Sequence, residues 1–554
     1  MHNDMMKKLP ACIFVYALLL VCMRAAAQEQ LSVEKRADIH YQREEYARAA
    51  GLYEKLLRAR QGRRQATFIR QRLADSYRGF NQYEKAAYWY GQLLQDSTGA
   101  ADNRLYYGDM LKSTGQYAAA RQQYQLYPDA QRVAARIAGC EVAPAWLAAP
   151  LPVSLHNLQG LNSHENDWGA VWYKDKIVFV SDSLRDDMWF VKGSRHNYGR
   201  NNAAFGKLYA AENKTATPGY VKNFAAVINN YPFHVGPVCF TTAGDTAYVT
   251  VTNPQRKVPY QKKDRPVYGV RKLELLIFVQ KNNQWQSPVA FPYNGNDYST
   301  GHAALNKAGN ILYFASDRPG GAGATDIWYS EKQADNSWGT PVNCGVLNTP
   351  DEEAFPVINN ADELYFSSKG LVGMGGYDIF RATGSRQSWA APVNLRTPFN
   401  SAGDDFYYVQ QDDKGFIASN RAGGRGGDDI YRFTTPAAIP GLLPPVLPLL
   451  RIPLELDICV PAVTCVYLYN KTRDMGWCYL LSPPSDKIVA KLEPDAEYVV
   501  RVHYANRTDS LVFDTRHVAD TATLYKTFCP RQINAPAIQR EETRIPVKSK
   551  PRKH

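Results

Sequence analysis

The stretch "SDRPGGAGATDIW" (Ser316–Trp328) decides how this chain is read. Glycine and aspartate packed this closely serve calcium loops, phosphate cradles, acid/base sites and plain turns alike. Recurrence separates them, because a reactive loop is normally solitary while an architectural turn repeats. Asp326-Ile327-Trp328 returns as Asp378-Ile379-Phe380 and again as Asp429-Ile430-Tyr431, each time after a run rich in glycine. Upstream lie the apolar segments "ILYFASDR" (311–318), "ELYFSSK" (363–369) and "GFIASNR" (415–421), and "WQSPV" (285–289), "WGTPV" (338–342) and "WAAPV" (389–393) mark the same spacing. The stretch is therefore a turn. Its glycines supply positive φ, and Asp326, Asp378 and Asp429 are structural residues that accept backbone N–H groups.

Each unit reads as four short strands with period-two alternation. Two looser units precede them, "DWGAVWYKDKIVFVSD" (167–182) and "GPVCFTTAGDTAYVTV" (236–251), so inner strands begin near 167, 236, 302, 354 and 405. The last unit stops near Phe433 without its outer strand, and "PVSLHNL" (152–158), similar in kind to "PVNLRTP" (392–398), supplies one from the other end. A strand donated this way closes a ring and covers an exposed edge. The pattern predicts a five-bladed β-propeller over 150–435, with six blades allowed by the insertions around 185–220 and 253–273.

Residues 33–145 follow a different repeat. Tyr46, Ala49 and Tyr53 return as Tyr83, Ala86 and Tyr90 and as Tyr117, Ala120 and Tyr124, and Ala37, Ala74 and Gly108 precede them at constant distance. Small residues at fixed places let paired helices approach closely while aromatics fill the gaps. Period and residue types resemble tetratricopeptide repeats, three units with a capping helix around 129–140.

The chain has 554 residues and a formal net charge of +12, part of it in the tail "RIPVKSKPRKH" (544–554). A cationic start, the apolar "ACIFVYALLLVCM" and "AAAQ" read as a signal peptide cleaved after Ala27, which makes the protein exported and nucleic acid an improbable partner. An alternative makes Cys22 the lipid-bearing cysteine of a lipoprotein. Cys459, Cys465, Cys478 and Cys529 crowd one region, where an oxidising compartment favours disulfides over a metal site.

The blades resemble the WD40-like propeller repeats of the TolB type. Helical repeats followed by such a propeller resemble an OmpA-family envelope protein, in particular the peptidoglycan-associated subunit of the Bacteroidetes type IX secretion system. The resemblance implies a small β-sandwich of carboxypeptidase-regulatory-like type next, for which "PLELDICVPAVTCVYLYNKT" (453–472) and "KIVAKLEPDAEYVVRVHYANRTDSLVFDT" (487–515) are available. The OmpA-like domain itself has no counterpart after Cys529. The organisation expected is signal peptide 1–27, helical repeats 30–147, propeller 150–435, Pro-rich linker 436–452, sandwich 453–530 and a basic disordered tail 531–554.

No GxSxG elbow, HExxH or Walker loop is present. A calcium reading of "GGAGATD" lacks the clustered carboxylates a hard cation needs. Propellers of this kind also precede serine peptidase domains, but the residues after 435 are too few for an α/β-hydrolase domain. The expectation is thus no catalytic residue, no cofactor, no metal and no enzyme. One ring of polar residues, Asp167, His234, His302, Glu353 and Asp405, stands just before the inner strands, where it satisfies backbone groups between blades or lines a channel mouth for a peptide, glycan or ion. The leading function is a scaffold for envelope proteins, including secretion-system subunits, in the periplasm or at the periplasmic face of the outer membrane, with membrane association only through partners or a lipid on Cys22. The alternatives are a propeller binding cell-wall or other glycan, and a propeller hydrolase or lyase.

Overall fold

A computed structural model describes residues 31–59, 65–95, 101–183, 185, 197–212, 220–253, 270–436, 452–458, 465–472, 475–480, 487–492, 496–504, 507–516, 523–528 and 543–544. The segment expected to be a signal peptide, Cys22, Cys459, Cys529 and nearly all of the expected linker and tail lie outside these residues. No helix among the described residues is long and apolar enough to cross a membrane.

Among the described residues seven helices come first: α1 (Val33–Gln42), α2 (Tyr46–Arg58), α3 (Ala66–Gly79), α4 (Tyr83–Gln95), α5 (Asp102–Ser113), α6 (Tyr117–Gln125) and α7 (Ala130–Ala148). Ser32 and Asp129 cap α1 and α7 by accepting the N–H groups of Lys35 and Arg132 at 3.1 Å, which satisfies donors a helix start leaves free. A left-handed residue, Glu44, Asn81 or Gly115, makes the turn inside each of the three pairs. Ala49, Ala86 and Ala120 are wholly buried, as are Tyr53, Tyr90 and Tyr124. A buried hydroxyl needs a partner, and the three tyrosines donate to Asp38, Asp75 and Asp109 at 2.6, 2.7 and 2.8 Å. Each aspartate directly follows the small residue, Ala37, Ala74 or Gly108, that admits the ring. At Gly108 a β-carbon would lie 2.5 Å from the Tyr124 ring. The capping helix is longer than the sequence pattern indicates and runs about one turn past Pro144.

Among the described residues five antiparallel sheets of four or five strands follow, each starting at an inner strand: Asp167–Tyr173, Val235–Phe240, Thr300–Leu305, Glu353–Ile358 and Asp405–Gln411. Each inner strand packs on the next, and the fifth packs back on the first. Ser154–Asn157 pairs antiparallel with Asp429–Thr434, in the register Ser154 to Thr434, and completes the fifth sheet from the N-terminal side. The insertion around 185–220 contributes Lys207–Glu212 as the third strand of the first sheet rather than a sheet of its own.

Residues 452–544 contribute two further four-stranded sheets around a separate apolar core that includes Leu454, Val466, Tyr498, Val500 and Phe528. Cys478 in the second of them is disulfide-bonded.

Candidate functional site

The inner strands converge on an axis, and each makes the same irregularity. The register shifts by a bulge after Trp168, Val235, Gly301, Ala354 and Phe406. The first bulged residue is left-handed every time: Gly169 (φ 66°), Gly236 (φ 110°), His302 (φ 54°), Phe355 (φ 55°) and Tyr407 (φ 56°). Such a conformation costs an L-residue about 1–2 kcal/mol, so three side chains held in it are repaid by what they touch. His302 stacks on Phe355 at 4.3 Å, and Phe355 and Tyr407 both meet Trp168 edge-on. The Tyr407 hydroxyl crosses to donate to the Val238 carbonyl at 3.2 Å. Aromatic side chains thus fill the axis.

Of the five ring residues proposed from sequence, Asp167, His234, Glu353 and Asp405 occupy equivalent positions directly before the bulge sequence. His302 does not. The pairing of Thr300 with Ser316, like Asp167 with Ser181, Glu353 with Ser368 and Asp405 with Ser419, makes Thr300 the counterpart and places His302 inside the bulge. Asp167, Glu353 and Asp405 are fully buried. Asp167 accepts from Ser163 and Arg185, Glu353 from Thr349 and Ser368, and Asp405 from Ser401, Ser419 and Arg421. Burial without a cationic partner pushes Glu353 up to about 7. His234 accepts the Gly206 N–H on Nδ1 at 3.0 Å, and burial pushes both histidines down to about 4.

The glycine-rich loops end as their composition requires. Asp326 accepts from the backbone of Ala322 and Gly323, Asp378 from Met374 and Gly375, and Asp429 from Arg425 and Gly426. A second device escaped the sequence reading. Asn162, Asn229, Asn294, Asn348 and Asn400 each clip the third strand of a sheet, accepting the N–H and donating to the C=O of Ile430, Leu208, Leu275, Ile327 and Ile379 at 2.7–3.0 Å. The signal was available: Asn162, Asn229, Asn348 and Asn400 stand five residues before Asp167, His234, Glu353 and Asp405.

The helical array stands on this loop face, edge-on, through its turns. Tyr83 and Asn81 donate to Asp404, which also accepts from Asn420 at 3.1 Å and from the Tyr377 backbone at 2.8 Å. Arg136 of α7 grips Asp351 with both terminal nitrogens at 3.0 and 3.2 Å while its Nε holds Asp109 at 3.0 Å. Such a forked contact fixes orientation as well as distance. The Ala47 N–H donates to the Arg200 carbonyl at 2.9 Å. Beyond the junction, Leu57, Ala66, Arg70, Tyr88, Trp89 and Gln92 line an open cleft of about 460 Å³ on the array, with Tyr88 58% exposed. Among the described residues no group of three carboxylate, imidazole or thiol side chains is placed to hold a metal ion.

The sheets form a β-propeller. No family model matches the chain, and no curated protein is similar to it. The resemblance to the secretion-system subunit therefore finds no support there. Among solved structures, a protein of Agrobacterium tumefaciens described as TolB is 10% identical over 67% of this chain and 92% of its own, with a TM-score of 0.28. A puromycin-hydrolysing peptidase of Mycobacterium tuberculosis is 11% identical over 46% of this chain and 34% of its own, TM-score 0.26. A prolyl endopeptidase is 11% identical over 70% of this chain and 55% of its own, TM-score 0.25. The chain thus spans about a third of that puromycin hydrolase and about half of that endopeptidase. At such identities and TM-scores none of them assigns an activity or a substrate. They do correct one expectation. The neighbours include hydrolytic enzymes, so the missing nucleophile motif does not establish that this chain is not an enzyme.

Proposed function

We propose that this chain is an exported envelope protein that gathers partner proteins on a helical array fixed to a propeller. In this reading the five sheets are five blades, the last two sheets are a regulatory-like sandwich, and the protein resides in the periplasm or on the periplasmic face of the outer membrane. The observation that carries it is the junction. Asp404 and Asp351 on propeller loops are each bonded to side chains of the array, so the two modules present one frame, and the junction consumes the turns of the array while leaving the cleft at Tyr88 and Trp89 open. Exposed aromatic groups beside a cleft are the composition of protein-interaction surfaces.

Crosslinking and pull-down from the native envelope test the reading. Recovery of envelope proteins, secretion-channel subunits among them, with at least tenfold less after Tyr88→Ala, is the expected result. Unchanged recovery by the variant, or capture of soluble small substrates alone, sinks it.

A further inference from the structure

We propose that His234, Arg200 and Lys207 form a binding site for one small oxyanion, of the carboxylate or phosphate kind, beneath the α1–α2 turn. The site lies where the first sheet meets the helical array, and no part of the partner-binding reading is needed for it.

Three observations point to an anion. First, the Gly206 N–H donates to His234 Nδ1, which places the ring proton of the neutral imidazole on Nε2. That Nε2 is screened from solvent and has no hydrogen-bond partner. Second, Arg200 donates through Nη2 to Glu44 at 2.5 Å, yet its Nε is likewise buried and unpartnered. Two N–H donors without acceptors therefore occur within one small region, although buried donors are nearly always satisfied. Third, Lys207 is 8% exposed and donates only to backbone carbonyls, those of Tyr231 and of Phe233 at 2.6 Å. No carboxylate among the described residues forms an ion pair with it. A buried cation without a counter-charge is costly, and a bound anion removes that cost.

Aromatic rings surround the imidazole. Tyr198 and Phe205 stand perpendicular to the His234 ring at 4.5 and 5.0 Å, and Phe233 packs against Phe205 at 5.4 Å. Lys207 and Arg200 both lie close enough to His234 to disfavour its protonation. Positive charge is thus concentrated while the imidazole remains a neutral donor.

The site also touches the junction. The Arg200 carbonyl accepts the Ala47 N–H, and its guanidinium lies over the Tyr46 ring at 5.5 Å. An anion held by Arg200 Nε fixes the side chain on which α2 rests.

Isothermal titration of the full chain at pH 7.5 with inorganic phosphate, and separately with sodium acetate, tests this at constant ionic strength set by chloride. Saturable uptake of at least one of them at a single site is expected, and which one it is identifies the kind of oxyanion. His234→Phe, which keeps the aromatic contacts, and Arg200→Lys, which keeps a cation toward Glu44, each lower the affinity at least tenfold. Absence of uptake by the unmodified chain overturns the proposal, as does uptake that both substitutions leave unchanged. A crystal of the unmodified chain soaked in selenate provides a readout independent of variant folding. An anomalous peak within hydrogen-bond distance of His234 Nε2 and Arg200 Nε is expected, and an ordered water at that point with no peak overturns the proposal.

Discussion

Tyr83, at the first position of α4, donates its hydroxyl to Asp404, in the loop before the fifth inner strand. Asp404 is 8% exposed and collects four donors, two of them from the helical array. Desolvation and the neighbouring carboxylate push the Tyr83 phenol far above its ordinary range, so it remains a donor at any physiological pH. Tyr83→Phe removes one donor from a buried carboxylate at a cost of about 1–3 kcal/mol. The loss should appear as a lower melting temperature and faster hydrogen exchange at the turn around Asn81, while exchange of amides in the fourth sheet stays as it was.

Gly139 of α7 faces the carbonyl of Gly373, and a β-carbon there would lie 2.1 Å from that oxygen. Backbone cannot yield as a flexible side chain can, so Gly139→Ala should push α7 off the propeller. The expected signature is new protease cleavage between the array and the first sheet, with each fragment still folded. An unchanged digestion pattern would show that the helix is not held there.

Asn400 serves both polar groups of Ile379 inside the fourth sheet. Asn400→Ala leaves the buried Ile379 N–H unpaired, while its C=O keeps the Leu395 N–H at 3.1 Å, a cost of about 1–3 kcal/mol. Urea unfolding monitored in the propeller should move to lower denaturant by a corresponding amount. Asn400→Asp, which keeps an acceptor for the N–H and loses the donor, should not restore the original midpoint.

Burial and neighbouring carboxylates raise Asp428 to about 7, and burial raises Glu353 to about 7 and Asp182 and Asp378 to about 6. A carboxyl whose folded pKa exceeds its unfolded one contributes stability that is complete below the unfolded pKa and lost as pH rises through the folded value. These four groups favour the fold more at pH 5.5 than at 7.5. His234 and His302, lowered to about 4, act oppositely as pH falls through 6.5. Four groups outweigh two, so the melting temperature should rise on going from pH 7.5 to 5.5, and Glu353→Gln should flatten the rise. A melting temperature that falls over this interval contradicts the buried carboxyls as described.

The repeats were legible in the sequence because each is written locally. The Tyr-Ala-Tyr spacing of the helices and the Asp-Ile-aromatic triplets recur at nearly fixed intervals, the inner strands repeat one apolar pattern at wider and unequal ones, and the donated strand answers to the outer strand that the last unit lacks. Two recurrent devices were equally local and went unread: the aspartates after Ala37, Ala74 and Gly108 that receive the tyrosine hydroxyls, and the asparagines five residues before the ring positions. Polar residues in those places look like ordinary turn and surface residues until a buried partner is known. His302 was misplaced by two positions, because the ring position of the third sheet is held by Thr300, which carries neither a carboxylate nor an imidazole. The junction was not legible at all. Tyr83 and Asp404 are joined across 321 positions, and no periodicity relates a helical turn to the loop that receives it.

The register of Ser154 opposite Thr434 puts the chain's entry to the ring and its exit side by side on one sheet. Once the helical module has left the loops and the C-terminal module, tension between the two would be borne by that four-residue ladder, and the remaining sheets would carry almost none. The closing strand is therefore the mechanical fuse of the molecule. Pulled from its two ends, the ring should open there first, leaving the other sheets intact and able to snap shut when the load is released.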